Sequence, residues 1–203
     1  MTQGAAERVL AVAANAPWAR SVMTAVTEVR QQAMTRRGLR MFHWTSSREA
    51  YGREIRARVE VHGDGSLAVG ITRDGFLHPN DKQHGNVPVD DIEKTGLDLV
   101  ALLLGLRKIG GPISDYDVCI DVSPGSSLYR RPDSALGGLY EPFDENHRVP
   151  DFRAVRGTVI GQFGRVELLD SAVDIISDAM NQAGVNCWLR GESLERDLQM
   201  DEI

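Results

Sequence analysis

Three groups of residues have side chains of the types that do chemistry. His78, Asp81 and His84 stand three apart in FLHPNDKQHGNVP, residues 76–88. Imidazoles and a carboxylate are metal-donor types. No fourth ligand accompanies them and the spacing is not that of one helix face, so they read as solvated loop polars. Glu141, Asp144, Glu145 and His147 form a second polar group, which reads as a solvated or partner-facing segment. The third is His62-Gly63-Asp64-Gly65, either a His/Asp pair or a hairpin turn, and Asp-Gly is a standard hairpin signal. Ser123, Ser126 and Ser127 lack the GxSxG elbow of a serine nucleophile. Cys119 and Cys187 are far apart with no CxxC, and read as small hydrophobes. The Gly-Gly pairs at 110–111 and 137–138 belong to no phosphate-binding loop. No catalytic residue, metal or cofactor is therefore expected, and the chain reads as non-enzymatic.

A basic group offers a different kind of chemistry. Arg30, Arg36, Arg37, Arg40 and Arg48 surround Phe42, His43 and Trp44. Arginines interleaved with aromatics can hold nucleic acid by phosphate contact and stacking. The same residues can be a solvated helix end beside core aromatics, or a surface for an acidic protein. Residues 1–60 hold ten Arg and five Glu, a net of +5, and the remainder holds 13 basic and 24 acidic residues, a net of −11. A second copy could supply the acidic complement. An acidic chain does not wrap phosphate backbones non-specifically, so only the N-terminal third could offer a basic patch. The residues expected to meet a partner are Arg36, Arg37, Arg40, Trp44, Arg56, Arg58, Arg130 and Arg131.

These side chains need elements to position them. Arg53 to Arg73 alternates on both sides of the 62–65 turn, with Ile55, Ala57, Val59, Val61, Leu67, Val69 and Ile71 on one face. Period-two alternation with one charged face predicts a hairpin in a sheet covered on one side. LRMFHWT at 39–45 also alternates. Residues 4–37 have a helical pattern, with a restart at Asn15-Ala16-Pro17 and a stripe Val22, Val26, Val29, Ala33. A helix from Asp90, with Glu93 as in a capping box, carries Ile92, Leu99, Leu103 and Leu106 to a stop at Gly110-Gly111-Pro112. Strands are expected at Asp117–Val122 and Phe152–Ile160, with short ones at Leu128–Arg131 and Val185–Leu189. Val166, Leu169, Val173, Ile176 and Met180 predict a helix closed by Gly184, and with the Asp90 helix it is expected to cover the hairpin. Residues 123–150 are rich in Pro and Gly and too long for an ordinary loop.

The order α-βββ-α-ββ-α makes the expected fold class a single α+β domain, an antiparallel sheet with helices packed on one face. Its expected parts are an N-terminal helical segment, 1–38, a core, 39–190, and an acidic fraying tail, 191–203. Hydrophobic residues are 42% and charged residues 26% of the chain, ordinary globular values. No apolar run is long enough to span a membrane, no signal peptide is evident, and a cytoplasmic location is expected. Twenty of the 23 basic residues are Arg, a bias of high-GC bacterial coding.

The element order resembles that of YbjN-like and secretion-chaperone-like α+β domains, which implies dimerisation and binding of protein segments. RARVEVHGDGSLAV, DDIEKTGLDLVALLLGL, DYDVCIDVSPG and AVDIISDAMNQAGV are similar in texture to actinobacterial regions beside Schlafen-type AlbA_2 modules. That likeness implies an accessory module and carries no functional residue across. The expectation is thus a bacterial protein-binding or assembly module, chaperone-like or regulatory and homodimeric. The alternative is a nucleic-acid-associated regulator or phage-defence component using the N-terminal basic patch.

Overall fold

A computed structural model describes residues 2–16, 30–36, 39–50, 53–74, 86–110, 114–122, 127–129, 148–149, 152–160, 164–185 and 194. Within them the chain runs α1 (Gln3–Ala14), β1 (Arg30–Arg36), β2 (Leu39–Ala50), β3 (Arg53–His62), β4 (Leu67–Asp74), β5 (Asn86–Pro88), α2 (Asp90–Lys108), β6 (Tyr116–Ile120), β7 (Ser127–Tyr129), β8 (Arg148–Val149), β9 (Val155–Val159) and α3 (Arg165–Asn181). Strands β1 to β4 form an antiparallel meander in sequence order, β6 pairs with β9 antiparallel, and β7 lies between β5 (parallel) and β8 (antiparallel).

The hairpin of β3 and β4 forms as its alternation predicts. Ala57, Val59 and Val61 of β3 are buried, while Arg56 and Arg58, which alternate with them, are exposed. The register sets Ala57 opposite Ile71, Val59 opposite Val69 and Val61 opposite Leu67, so the apolar face is continuous across both strands. On the other side of β3, Trp44 pairs with Val59 and joins the same core at 2% exposure. Helix α2 packs over this face beside β4.

Helix α2 is the centre of the molecule. Its first turn holds Asp90, Asp91 and Glu93 and its last Arg107 and Lys108, both matched to the helix dipole. The expected capping box is not what starts it. Val89 is the N-cap and makes no side-chain cap bond, so Asp90 and Glu93 act through their charge at the helix N-terminus. Gly110 ends it with φ 78°, as the Gly-Gly-Pro stop predicts. Helix α1, capped where the Thr2 hydroxyl accepts from the Ala5 N–H at 3.3 Å, lays Ala6, Val9, Leu10 and Ala13 against α2. The approach is close: a Cβ on Gly105 would lie 2.5 Å from the Val9 carbonyl oxygen. On the other side Gly96 meets Ile176 of α3, where a Cβ would lie 2.6 Å from Ile176 Cγ1.

Helix α3 packs on β9, β6 and α2. It covers the two-stranded sheet rather than the central hairpin, which corrects the expectation that both long helices share one sheet face. The apolar stripe of α3 fits Val118, Ile120 and Val159 because β6 and β9 present their own alternating apolar face. At the C-terminal end of α3, the Gln182 side chain makes a reciprocal pair with the Arg153 backbone. Its Oε1 accepts from the Arg153 N–H at 2.9 Å and its Nε2 donates to the Arg153 carbonyl at 2.8 Å. Gly184 then closes the helix with φ 66°, as expected.

Two further readings of the N-terminal third change. Asn15 is the C-cap of α1, and the helical restart expected from Pro17 onward lies outside the described residues. Residues 30–36 are a strand, not the end of a helix, and Ala33 stands opposite Phe42. Nothing in RQQAMTR alternates, and the strand is specified by its partner LRMFHWT, a non-local pairing that overrides a helical local pattern. The register joins Arg36 to Leu39, leaving only Arg37-Gly38 between the strands. Residues 17–29, and with them Val22, Val26 and Val29, lie outside the described residues. Part of the stretch expected to be irregular at 123–150 is sheet, at β7 and β8, and β5 falls in what read as a polar loop. The strand expected at Leu128–Arg131 is met at 127–129. Leu194, in the tail expected to fray, is buried at 2% with the core. Val185 is not in a strand, and 186–189 lie outside the described residues. The architecture is a single α+β domain, with α2 over one face of the antiparallel meander and α3 over the β6–β9 sheet.

The Gly105 contact is the most demanding in the core, because the neighbour is backbone and cannot rotate away. Gly105→Ala should lower unfolding free energy by about 1–3 kcal/mol in urea titration despite alanine's better helix propensity. Gly96→Ala, which meets a movable Ile side chain, should cost less. Gly70→Ala, where a Cβ meets nothing within 4 Å, should be near neutral. Equal losses at all three positions would refute the close α1–α2 approach.

Candidate functional site

The outer face of β3 carries Arg56 and Arg58, two of the charged residues that the sequence singled out. Along β3 the residues Arg56, Arg58, Glu60 and His62 alternate with the buried apolar ones, so all four share the face away from α2. Glu60 is the hinge of this row. One carboxylate oxygen pairs with the Arg58 guanidinium and the other lies 3.0 Å from His62 Nε2. The Glu60 side chain is only 14% exposed, whereas Arg58 is 56% exposed. A carboxylate held by two donors on its own strand keeps its charge in a fixed place while the outermost guanidinium stays in reach of a partner.

Cross-strand register extends the row. Arg58 lies opposite Thr45, which lies opposite Arg30, and Arg56 lies opposite Ser47 and Thr72. On the β4 side the face carries the small residues Ala68, Gly70 and Thr72, with Asp74 at the strand's end. The surface therefore grades from arginine-bearing strands to small residues along β4.

The turn at the end of β3 is structural. His62 N–H donates to the Ser66 carbonyl at 2.8 Å, Gly65 N–H donates to the His62 carbonyl at 3.1 Å, and Gly65 takes φ 94°. This three-residue loop places its glycine at the position that needs positive φ. Asp64 Oδ1 accepts from the Ser66 N–H at 2.9 Å. That backbone hydrogen bond, helped by the Ser66 side chain and the nearby His62, holds the Asp64 carboxyl below the usual aspartate value of 3.8. Asp64 and His62 are thus committed to the turn and to Glu60, and do not form a His/Asp catalytic pair.

Of the residues expected to contact a partner, Arg56 and Arg58 are on the exposed face. Arg36 ends β1 opposite Leu39, and Arg40 stands opposite Thr35 near the same hairpin end. Trp44 is a correction: its ring is buried in the core at 2% exposure, packed where Val59 and Val61 lie, and is not available for stacking on a base or a partner. Arg37, Arg130 and Arg131 lie outside the described residues, as do His78, Asp81 and His84, the group Glu141, Asp144, Glu145 and His147, and Cys187. Ser127 begins β7, whereas Ser123 and Ser126 lie outside the described residues. Cys119 is exposed on β6 opposite Arg156. Among the described residues no three His, Cys, Asp or Glu side chains are grouped to hold a metal ion.

The sequence reading did not anticipate the buried acids of α2. Asp98 is fully buried and Asp91 is 3% exposed, with Lys94 Nζ at 3.8 Å from its carboxylate. The signal was present, because Asp98 interrupts an otherwise apolar run, but a run of that kind says nothing about which helix face is covered. The cavity between α2, α3 and the β6–β9 sheet is about 10 Å³ and lined by apolar side chains such as Leu99, Val118 and Ile175. At that size it is a packing defect rather than a ligand site. No helix among the described residues is long and apolar enough to cross a membrane.

Comparison with known proteins gives no family to lean on. No protein-family model matches the chain, and neither a curated protein nor a solved structure matches it.

The depressed Asp64 pKa fixes the sign of a pH effect. A carboxyl whose folded pKa lies below its unfolded value stabilises the fold above that unfolded value and loses its contribution as pH falls through the folded pKa. A carbon-detected NMR titration should find the Asp64 midpoint below 3.8, and Asp64→Ala should remove the acid-dependent part of hairpin stability. A midpoint at or above 3.8 would contradict the turn geometry.

Proposed function

We propose that the chain is a bacterial protein-binding or assembly module, chaperone-like or regulatory in character, that works without catalysis and self-associates. The observation behind this reading is the two-sided meander. One sheet face is sealed by helix, and the other carries Arg56 and Arg58 beside a carboxylate fixed by its own strand neighbours. A charged sheet face suits a macromolecular partner better than a small substrate, which needs a concave pocket. The acidic balance of the chain after residue 60 makes an acidic protein surface, including that of a second copy, the natural complement. The resemblance in element order to chaperone-like α+β domains supports the same reading. A reduced cytoplasmic setting agrees with the unpaired, exposed Cys119.

A second reading, nucleic-acid binding by a regulator or defence component, draws on the alignment of Arg30 and Arg58 in one cross-strand row. Burial of Trp44 leaves it without the stacking ring it would use, so phosphate contact alone would have to carry it.

The two readings separate on one protein preparation. Mass-spectrometric identification of co-purifying partners should return proteins, and Arg56→Glu with Arg58→Glu should weaken their capture about tenfold or more, more so at low salt. Low-salt filter binding of single- and double-stranded nucleic acid should show no loss on that double change or on Arg36→Glu with Arg37→Glu. A binding isotherm that collapses with Arg36 and Arg37 would instead favour the nucleic-acid reading.

A further inference from the structure

Glu60 and His62 are metal-donor types two apart on one strand, so both stand on the outer face of the sheet. Nε2 of the imidazole lies 3.0 Å from Oε2 of the carboxylate. Two donors on one zinc ion, each at about 2.0–2.1 Å and at a tetrahedral angle, stand roughly 3.3 Å apart. The pair is therefore close to chelating spacing without moving the strand. Arg58 holds the other carboxylate oxygen, which leaves Oε2 toward the imidazole. An outer partner that orients the carboxylate is a regular part of metal sites.

Two donors do not make a site, and the strand register supplies a third. His43 of β2 stands directly opposite Glu60. The kind of pairing matters. The His62 N–H donates to the Ser66 carbonyl, toward the β4 side. Backbone groups of alternate residues point the same way, so Glu60 also spends its N–H and C=O on β4, and Glu60 with His43 is a non-hydrogen-bonded pair. In such pairs the Cα atoms are only about 4.5 Å apart. His62 is the diagonal neighbour of His43, at roughly 7–8 Å, within the reach of long side chains. The three positions form a compact triangle on one face. Their remaining cross-strand neighbours, Gln32, Met41 and Ala68, carry no charge.

We propose that His43, Glu60 and His62 form a three-donor site for a divalent transition-metal ion, zinc being the ion that this donor set suits best. Two imidazoles and one carboxylate leave a fourth tetrahedral position for water or an outside donor. One carboxylate is too few oxygens for calcium, which takes six to eight oxygen ligands. On binding, His62 keeps its proton on Nδ1 and turns its Nε2 lone pair from Glu60 to the ion. The site goes beyond the protein-binding reading and stands or falls without it.

The chain has five histidines, and the other three, His78, His84 and His147, supply the control. Isothermal titration of Zn2+ into the full chain, stripped of metal and carrying His78→Ala, His84→Ala and His147→Ala, should show one ion bound per chain. In that background His43→Ala, Glu60→Gln and His62→Ala should each raise the dissociation constant about tenfold or more. Circular dichroism should stay unchanged, because the three residues alternate with the buried ones. Glu60→Gln keeps the shape of the side chain and decides the matter where an alanine variant loses its fold. No binding in the triple-alanine background overturns the proposal. So does binding that any one of the three substitutions, in a folded variant, leaves unchanged.

Discussion

The contact between Gly105 and the Val9 carbonyl is the constraint on which the arrangement depends. It lets the backbone of α1 lie directly on α2, with no side chain between them. Gly96, nine residues earlier, sits about 180° around the helix, and there Ile176 of α3 fills the space a Cβ would take. α2 is therefore gripped on opposite sides by two helices while a third side lies against the meander. A helix enclosed this way cannot turn all its polar residues to water, and the burial of Asp91 and Asp98 is the result.

Because the helices are gathered around α2, the meander has cover for one face only. The alternation in β3 then does two jobs. Val59 and Val61 seal the core, and the residues between them are left to water, where Glu60 organises Arg58 and His62. The worth of these pairs lies in orientation, since the carboxylate limits where the guanidinium can go without neutralising the arginine-bearing side of the sheet.

How much of this was legible depended on whether the information was local. The β3–β4 hairpin, α2, α3 and the glycine stops at 110 and 184 all follow from short-range periodicity and turn chemistry, and they stand where the pattern puts them. β1 does not, because RQQAMTR becomes a strand only through its partner 39–45. The fate of Trp44 was hidden for a related reason. Arginines flank it four residues away on either side, Arg40 and Arg48, but the register sets it opposite Val59. Alternation gave two faces to β2 without saying which one the helices would cover. The choice of sheet under α3 was hidden too, since two half-buried sheets each offer an alternating apolar face and only tertiary packing assigns the helix to one.

The reciprocal pair between Gln182 and the Arg153 backbone looks like a small ornament, yet it bears on chain entropy. It closes β9 and α3 into a loop of 29 residues, whereas the α1–α2 contact closes nearly the whole first half of the chain. On a logarithmic loop-closure scale that difference is roughly 1 kcal/mol. The two glycine contacts on α2 thus differ in kind. The α3 side belongs to a locally closed β-α unit with a modest ordering cost. The α1 side is a long-range closure in which backbone packs against backbone.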